Sequence, residues 1–137
     1  MKSIKTIFAS VILIALVSVS VSAFAGTSAK VIAVVNQAGW CPVCQNNGMR
    51  AMDAFKANNQ DMAIQFVAND LTNDETKTKS AEELKKLGLD KAIAAYPGTG
   101  VVYFFNSETK ALISKVSVAK PDEELAAALT TAKKGLK

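Results

Sequence analysis

The sequence predicts an α/β fold, with a mixed central sheet and helices on both of its faces, on three observations. Lys30 to Asn36 (KVIAVVN) is an apolar, β-branched run of the kind a buried strand needs. A helical stripe and a second strand-like run, Met62 to Ala68, follow it; such a strand–helix–strand unit closes as a right-handed parallel crossover. Val101 to Phe105 (VVYFF) and Ala111 to Val118 flank the turn Asn106 to Thr109, which makes an antiparallel hairpin. The full order is β-α-β-α-β-β-α.

Each element has its own local reason. Gln37 to Trp40 forms a turn containing one glycine, and Pro42 suits the first position of a helix, where a missing N–H costs nothing. Cys44, Ala51, Met52 and Phe55 then recur on one helical stripe that ends near Asn58 and Asn59. Asn69 to Thr78 is polar and carries no clear pattern. Ser80-Ala81-Glu82-Glu83 reads as a capping box, with Leu84 and Leu87 at helical spacing after it and Gly88 as the terminator. Asp90 to Ala95 suits a further helical turn, and Tyr96-Pro97-Gly98-Thr99-Gly100 is a turn signal. Pro121 opens the last helix. Acids at Asp122, Glu123 and Glu124 suit its positive end, and Lys133 and Lys134 suit its negative end. Leu125, Ala128, Leu129 and Ala132 are its buried stripe.

The 137 residues divide into a leader, residues 1–25, and one domain, residues 26–137. Lys2 and Lys5 give a basic start, Ile7 to Val21 an apolar run too short for a membrane span, and Ala23-Phe24-Ala25 the small residues a signal peptidase reads. Cleavage after Ala25 is expected, which leaves no stable membrane anchor and a periplasmic or secreted protein. Removing Lys2 and Lys5 takes the basic count from 16 to 14 against 12 acids, so the domain is near charge balance. That balance offers no electrostatic case for nucleic acid. A monomer is expected.

The chemistry is concentrated in Trp40-Cys41-Pro42-Val43-Cys44, which holds the only two cysteines. Secreted domains that use cysteines as staples carry several widely spaced pairs, and a loop this short constrains the unfolded polypeptide little. A pair at a strand-to-helix junction places the first thiol against helix N–H groups, which favour its thiolate and make the bond exchangeable. A fixed structural disulfide and a metal site are the alternatives. The metal reading lacks ligands, since the sequence has no histidine and no third cysteine. No cofactor is expected.

The element order and this motif after the first strand resemble the thioredoxin-like superfamily, over essentially all of Ala29 to Ala132. The resemblance implies an exported thiol–disulfide oxidoreductase acting on protein thiol and disulfide substrates, reset by a separate redox partner. It implies Cys41 as attacking nucleophile and Cys44 as buried resolving thiol, with Trp40, Pro42, Pro97 and Thr99 contacting substrate. Members carry a cis-proline facing the disulfide, a position where Thr99 falls in an ungapped match; either Pro97 reaches the site through a longer loop, or the site lacks a cis-proline. Members also bury an acid six residues before the first cysteine, where this protein has Val35. Gln45 stands where haem attachment needs histidine. A binding module that keeps the fold and an inert disulfide is the competing reading.

Overall fold

The computed structural model describes residues 29–136, and the signal-peptide assignment of residues 1–25 lies outside them. The described residues run β1 (Val31–Gln37), α1 (Pro42–Ala57), β2 (Ile64–Asp70), α2 (Asp74–Lys86), α3 (Asp90–Ile93), β3 (Val101–Asn106), β4 (Leu112–Ser117) and α4 (Asp122–Lys134). The sheet order is β2-β1-β3-β4. β1 pairs parallel with β2, as a crossover through α1 requires, and antiparallel with β3, which turns back into β4.

Strand alternation sorts the core into two layers. Val31, Ala33, Val35, Ile64, Val102 and Phe104 pack against Ala51 and Phe55 of α1 and Leu125, Leu129 and Ala132 of α4. Ile32, Val34, Val67, Tyr103 and Phe105 meet Leu84, Leu89 and Ile93 from the α2–α3 side. Both faces of β1 are therefore covered, which is why its sequence reads as a continuous apolar run. Phe55, Phe104 and Phe105 are fully buried, and burying each stabilises the fold by about 1.5–3 kcal/mol relative to exposure. Phe55 stacks on Phe66 with ring centres 5.3 Å apart and meets Phe104 edge-on at 6.5 Å.

The starts of α2 and β2 differ most from the sequence reading. α2 begins at Asp74 rather than after Ser80, because Asn73 caps it reciprocally with Thr76: the Thr76 N–H donates to Asn73 Oδ1 at 3.0 Å, and the Asn73 N–H to Thr76 Oγ1 at 3.1 Å. Ser80 is a buried mid-helix residue whose hydroxyl accepts the Asp70 N–H at 2.9 Å. β2 starts at Ile64, two residues late, because Met62 sits at φ +56° in a turn. Buried Asn59 fixes that start, exchanging hydrogen bonds with the Ile64 N–H and C=O. Among the described residues, no helix is long and apolar enough to cross a membrane.

Candidate active site

The C-terminal end of β1 leads into a tight turn and then directly into α1. The Cys41 N–H donates to Ala38 C=O at 3.1 Å, and Cys41 takes the N-cap position with extended backbone, φ −87° and ψ 111°. Pro42 is the first helical residue. Capping is done by sulfur: the Cys44 N–H donates to Cys41 Sγ at 3.3 Å. Cys41 and Cys44 form a disulfide with a Cα separation of 5.3 Å. A sulfur at the N-cap accepts a helix N–H and feels the positive helix end, which stabilises a thiolate there once the bond is reduced.

The exposure of the two cysteines reverses what the resemblance implies. Cys41 is 4% exposed, whereas Cys44 is partly exposed. Gly100 accounts for part of Cys41's cover. A Cβ built on Gly100 would stand 2.9 Å from Val43 Cγ1 and 3.7 Å from Cys41 Sγ, so only glycine lets the backbone lie this close. Gly100 also has φ +73°, which favours glycine. Cys44 instead lines an open cavity of about 360 Å³, walled by Val35, Met49, Met52, Asp53, Lys56 and Val118 among others. Arg50 braces that wall. It ion-pairs with Asp122 and donates to Val118 C=O and Lys120 C=O, each at 2.9 Å, tying α1 to the β4–α4 connection.

The other expected site residues are placed as follows. Trp40 is 61% exposed on the turn, and Pro42 is exposed beside it. The turn is anchored by the Gly39 N–H, which donates to Thr72 Oγ1 at 2.8 Å, and by Gln45, whose side-chain amide donates to Gly39 C=O. Thr72 in turn donates to Asp70 Oδ1 through its hydroxyl, and through its N–H at 2.9 Å. Those two bonds hold the Asp70 carboxyl below the usual carboxylate range, the hydroxyl bond being the larger cause. Pro97 is exposed and Thr99 partly buried. No peptide bond among the described residues is cis, so the site has no cis-proline; Gly100 of the same loop lies against Cys41. Val35 is buried in the α1 side of the sheet and lines the cavity beside Cys44. No carboxylate among the described residues hydrogen-bonds either sulfur, and Asp53 is the only acid on the cavity wall. Among the described residues no group of three or more metal-ligating side chains converges.

Sequence reasoning missed one residue here. Asn36, completely buried near the end of β1, donates from Nδ2 to Tyr96 C=O at 2.7 Å and to Gly98 C=O at 3.1 Å. Its Oδ1 accepts from Asn69 Nδ2 at 2.9 Å, and its backbone carbonyl accepts the Gly100 N–H at 2.8 Å. The one sequence signal was an amide closing an otherwise apolar run.

The element order, the mixed β2-β1-β3-β4 sheet with helices on both faces and the cysteine pair at the β1–α1 junction make this the α/β architecture expected from the sequence. Two solved structures are similar to it. The crystal structure of Trxlp from Edwardsiella tarda EIB202 matches at 14% identity and a TM-score of 0.48, with 74% of this protein and 84% of that one covered. The thioredoxin Mala s 13 from Malassezia sympodialis matches at 20% identity and a TM-score of 0.46, with 76% and 79% covered. No family model and no curated protein matches the sequence.

Proposed function

We propose that the protein is an exported thiol–disulfide oxidoreductase that exchanges disulfides with protein substrates through Cys41 and Cys44. The observation that carries this reading is the disulfide at the N-cap of α1, where Cys41 Sγ already accepts a helix N–H. The bond lies between a close-packed backbone loop and an open apolar cavity. A structural staple gains nothing from that placement.

In the oxidising direction a substrate thiolate attacks Cys41 Sγ. A substrate–Cys41 bond forms, the Cys41–Cys44 bond breaks, and the electron pair leaves on Cys44, which takes a proton from water. A second substrate thiolate then attacks the substrate sulfur of the mixed disulfide and releases Cys41 as thiolate. The substrate is oxidised by two electrons and the protein pair is reduced; a partner disulfide of the same chemistry resets it. The reducing direction runs through the same steps in reverse. Exposed Trp40, Val43 and Met49 surround the motif and supply apolar contact for an unfolded or extended substrate segment.

The cover over Cys41 and the apolar Val35 favour a second reading, a binding module with an inert disulfide. Reduction of insulin disulfides by the dithiol form separates the two. Exchange requires activity that is lost in both Cys41→Ser and Cys44→Ser, while a slow rate equal to that of free dithiol supports the module. For export, mass spectrometry of the secreted protein is expected to begin at Gly26; retention of residues 1–25 in the membrane fraction overturns that assignment.

A further inference from the structure

Asn36 interrupts its own strand face. By alternation it continues the series Ile32 and Val34, which pack against the α2–α3 layer, and it pairs in register with Asn69 and Val101. An apolar side chain there would cost nothing in desolvation, whereas a buried amide is stable only with its polar atoms matched. Here they are matched. Both Nδ2 hydrogens go to the loop carbonyls of Tyr96 and Gly98, and Oδ1 accepts from buried Asn69. The backbone carbonyl of the same residue takes the Gly100 N–H. One residue of β1 therefore holds three points of the segment 96–100, and the last of them is the glycine packed over Val43 and Cys41 Sγ.

We infer that Asn36 is a positioning residue that sets access to Cys41, by fixing the 96–100 segment over its sulfur. Asn69 orients the Asn36 amide so that its hydrogens, rather than its oxygen, face the loop. Asn36 and Gly100 also line the cavity that Cys44 borders, but Cys44 is already partly exposed there, whereas Cys41 is 4% exposed with Gly100 packed over its sulfur. Loosening the clamp thus uncovers the buried Cys41 and changes access to the already open Cys44 far less. Acidity of the Cys41 thiol is set separately, by the Cys44 N–H and the start of α1, neither of which Asn36 touches.

The functional meaning of the clamp rests on the exchange reading, but its test does not depend on turnover. The reduced protein is alkylated with iodoacetamide across a pH series, and each cysteine is quantified by peptide mass spectrometry. In Asn36→Ala, the limiting rate at Cys41 is expected to rise about tenfold while that at Cys44 changes less than about twofold, since losing such hydrogen bonds shifts a local opening by about that factor. The pH midpoint of Cys41 labelling stays where it was, because access changes and acidity does not. Asn69→Ala, which leaves the Asn36 amide in place but unoriented, is expected to give a smaller rise in the same direction. It also serves if Asn36→Ala fails to fold. Equal acceleration of both cysteines, or no change at Cys41 in either folded variant, overturns the inference. A shifted midpoint with an unchanged limiting rate also overturns it. Insulin-reduction activity in the unsubstituted protein reports on the exchange reading alone.

Discussion

Cys41 and Cys44 sit one helical turn apart, yet their two flanks are built on different principles. The Cys41 flank is backbone against sulfur: Gly100 lies over it, held by hydrogen bonds to Asn36. The Cys44 flank is side chains around space: Met49, Met52, Val35 and Val118 line a cavity with Lys56 and Asp53 on its wall. The sulfur best placed for a stabilised thiolate is the one with the least access. Reactivity at this pair is consequently governed by two separable quantities, acidity from the helix start and access from the loop, and a substitution can move one without the other.

The largest effect comes from removing a sulfur. Cys41→Ser and Cys44→Ser are each expected to lower insulin-reduction activity by at least about 1,000-fold, because neither leaves a dithiol that can donate two electrons and close to a disulfide. They differ in what they trap. Cys44→Ser keeps the N-cap thiolate and lacks the resolving thiol, so mixed disulfides accumulate on Cys41. Adducts appearing on Cys44 in the Cys41→Ser variant instead would assign attack to the sulfur with the freer approach and reverse the comparison.

Next in size are substitutions at two glycines that both line the cavity but differ in packing. Gly100→Ala forces a Cβ to 2.9 Å from Val43 at φ +73° and is expected to destabilise by about 1–3 kcal/mol in urea unfolding. Gly48 lies within α1 on the cavity side, and a Cβ there meets nothing within 4 Å. Gly48→Ala is therefore expected to stabilise by about 0.5–1 kcal/mol, through helix propensity alone. Changes of the same sign at both glycines would mean that the two positions do not differ in packing as described.

Val35→Asp tests what the Cys44 flank lacks. A carboxylate buried beside Cys44 can take the proton that Cys44 must lose to resolve a mixed disulfide. The variant is expected to release substrate faster near neutral pH, at a stability cost of about 1–3 kcal/mol for the buried polar group. In the unsubstituted protein release is expected to speed up with rising pH. Stopped-flow decay of a mixed disulfide with a labelled peptide measures both. Release that is already fast and independent of pH would point to another base, and Asp53→Asn would then be the variant that slows it.

How much of this could be read from sequence follows from the range of the interactions. β1, α1, β3 and α4 were legible because the periodic apolar residues and end residues that define them are local: Val31 to Val35, Ala51 with Phe55, Val102 with Phe104, Leu125 with Leu129. The start of α2 was missed because Asn69 to Thr78 has no apolar periodicity to mark a helix; Asn73 with Thr76 makes the box there, while Ser80 serves Asp70 instead. The role of Asn36 was not legible, since its loop partners lie 60 and 62 residues away and nothing nearby distinguishes it from a polar strand end. The sequence pointed to Pro97 and Thr99 in this loop and not to Gly100, a residue without a side chain that lies close to the sulfur.

The smallest expected effect concerns the turn that carries Trp40 on the Cys44 side. Asp70 accepts from the Thr72 hydroxyl and N–H, and Thr72 Oγ1 accepts from Gly39, next to Trp40. These bonds lower the Asp70 carboxyl below its ordinary value of 3.8. A depressed folded value means that the carboxylate's contribution to stability is fully present above pH 3.8 and is lost as pH falls through the lower folded value. Trp40 is the only tryptophan, so its fluorescence reports this turn directly. The emission is expected to shift in acid below pH 3.8 while far-ultraviolet dichroism still reads folded, because only the turn loosens. Asp70→Asn removes the charge and keeps an oxygen that accepts from Thr72, so the acid-induced shift should vanish in that variant. A shift that persists there would place the acid-sensitive group elsewhere and leave the Trp40 turn held independently of Asp70.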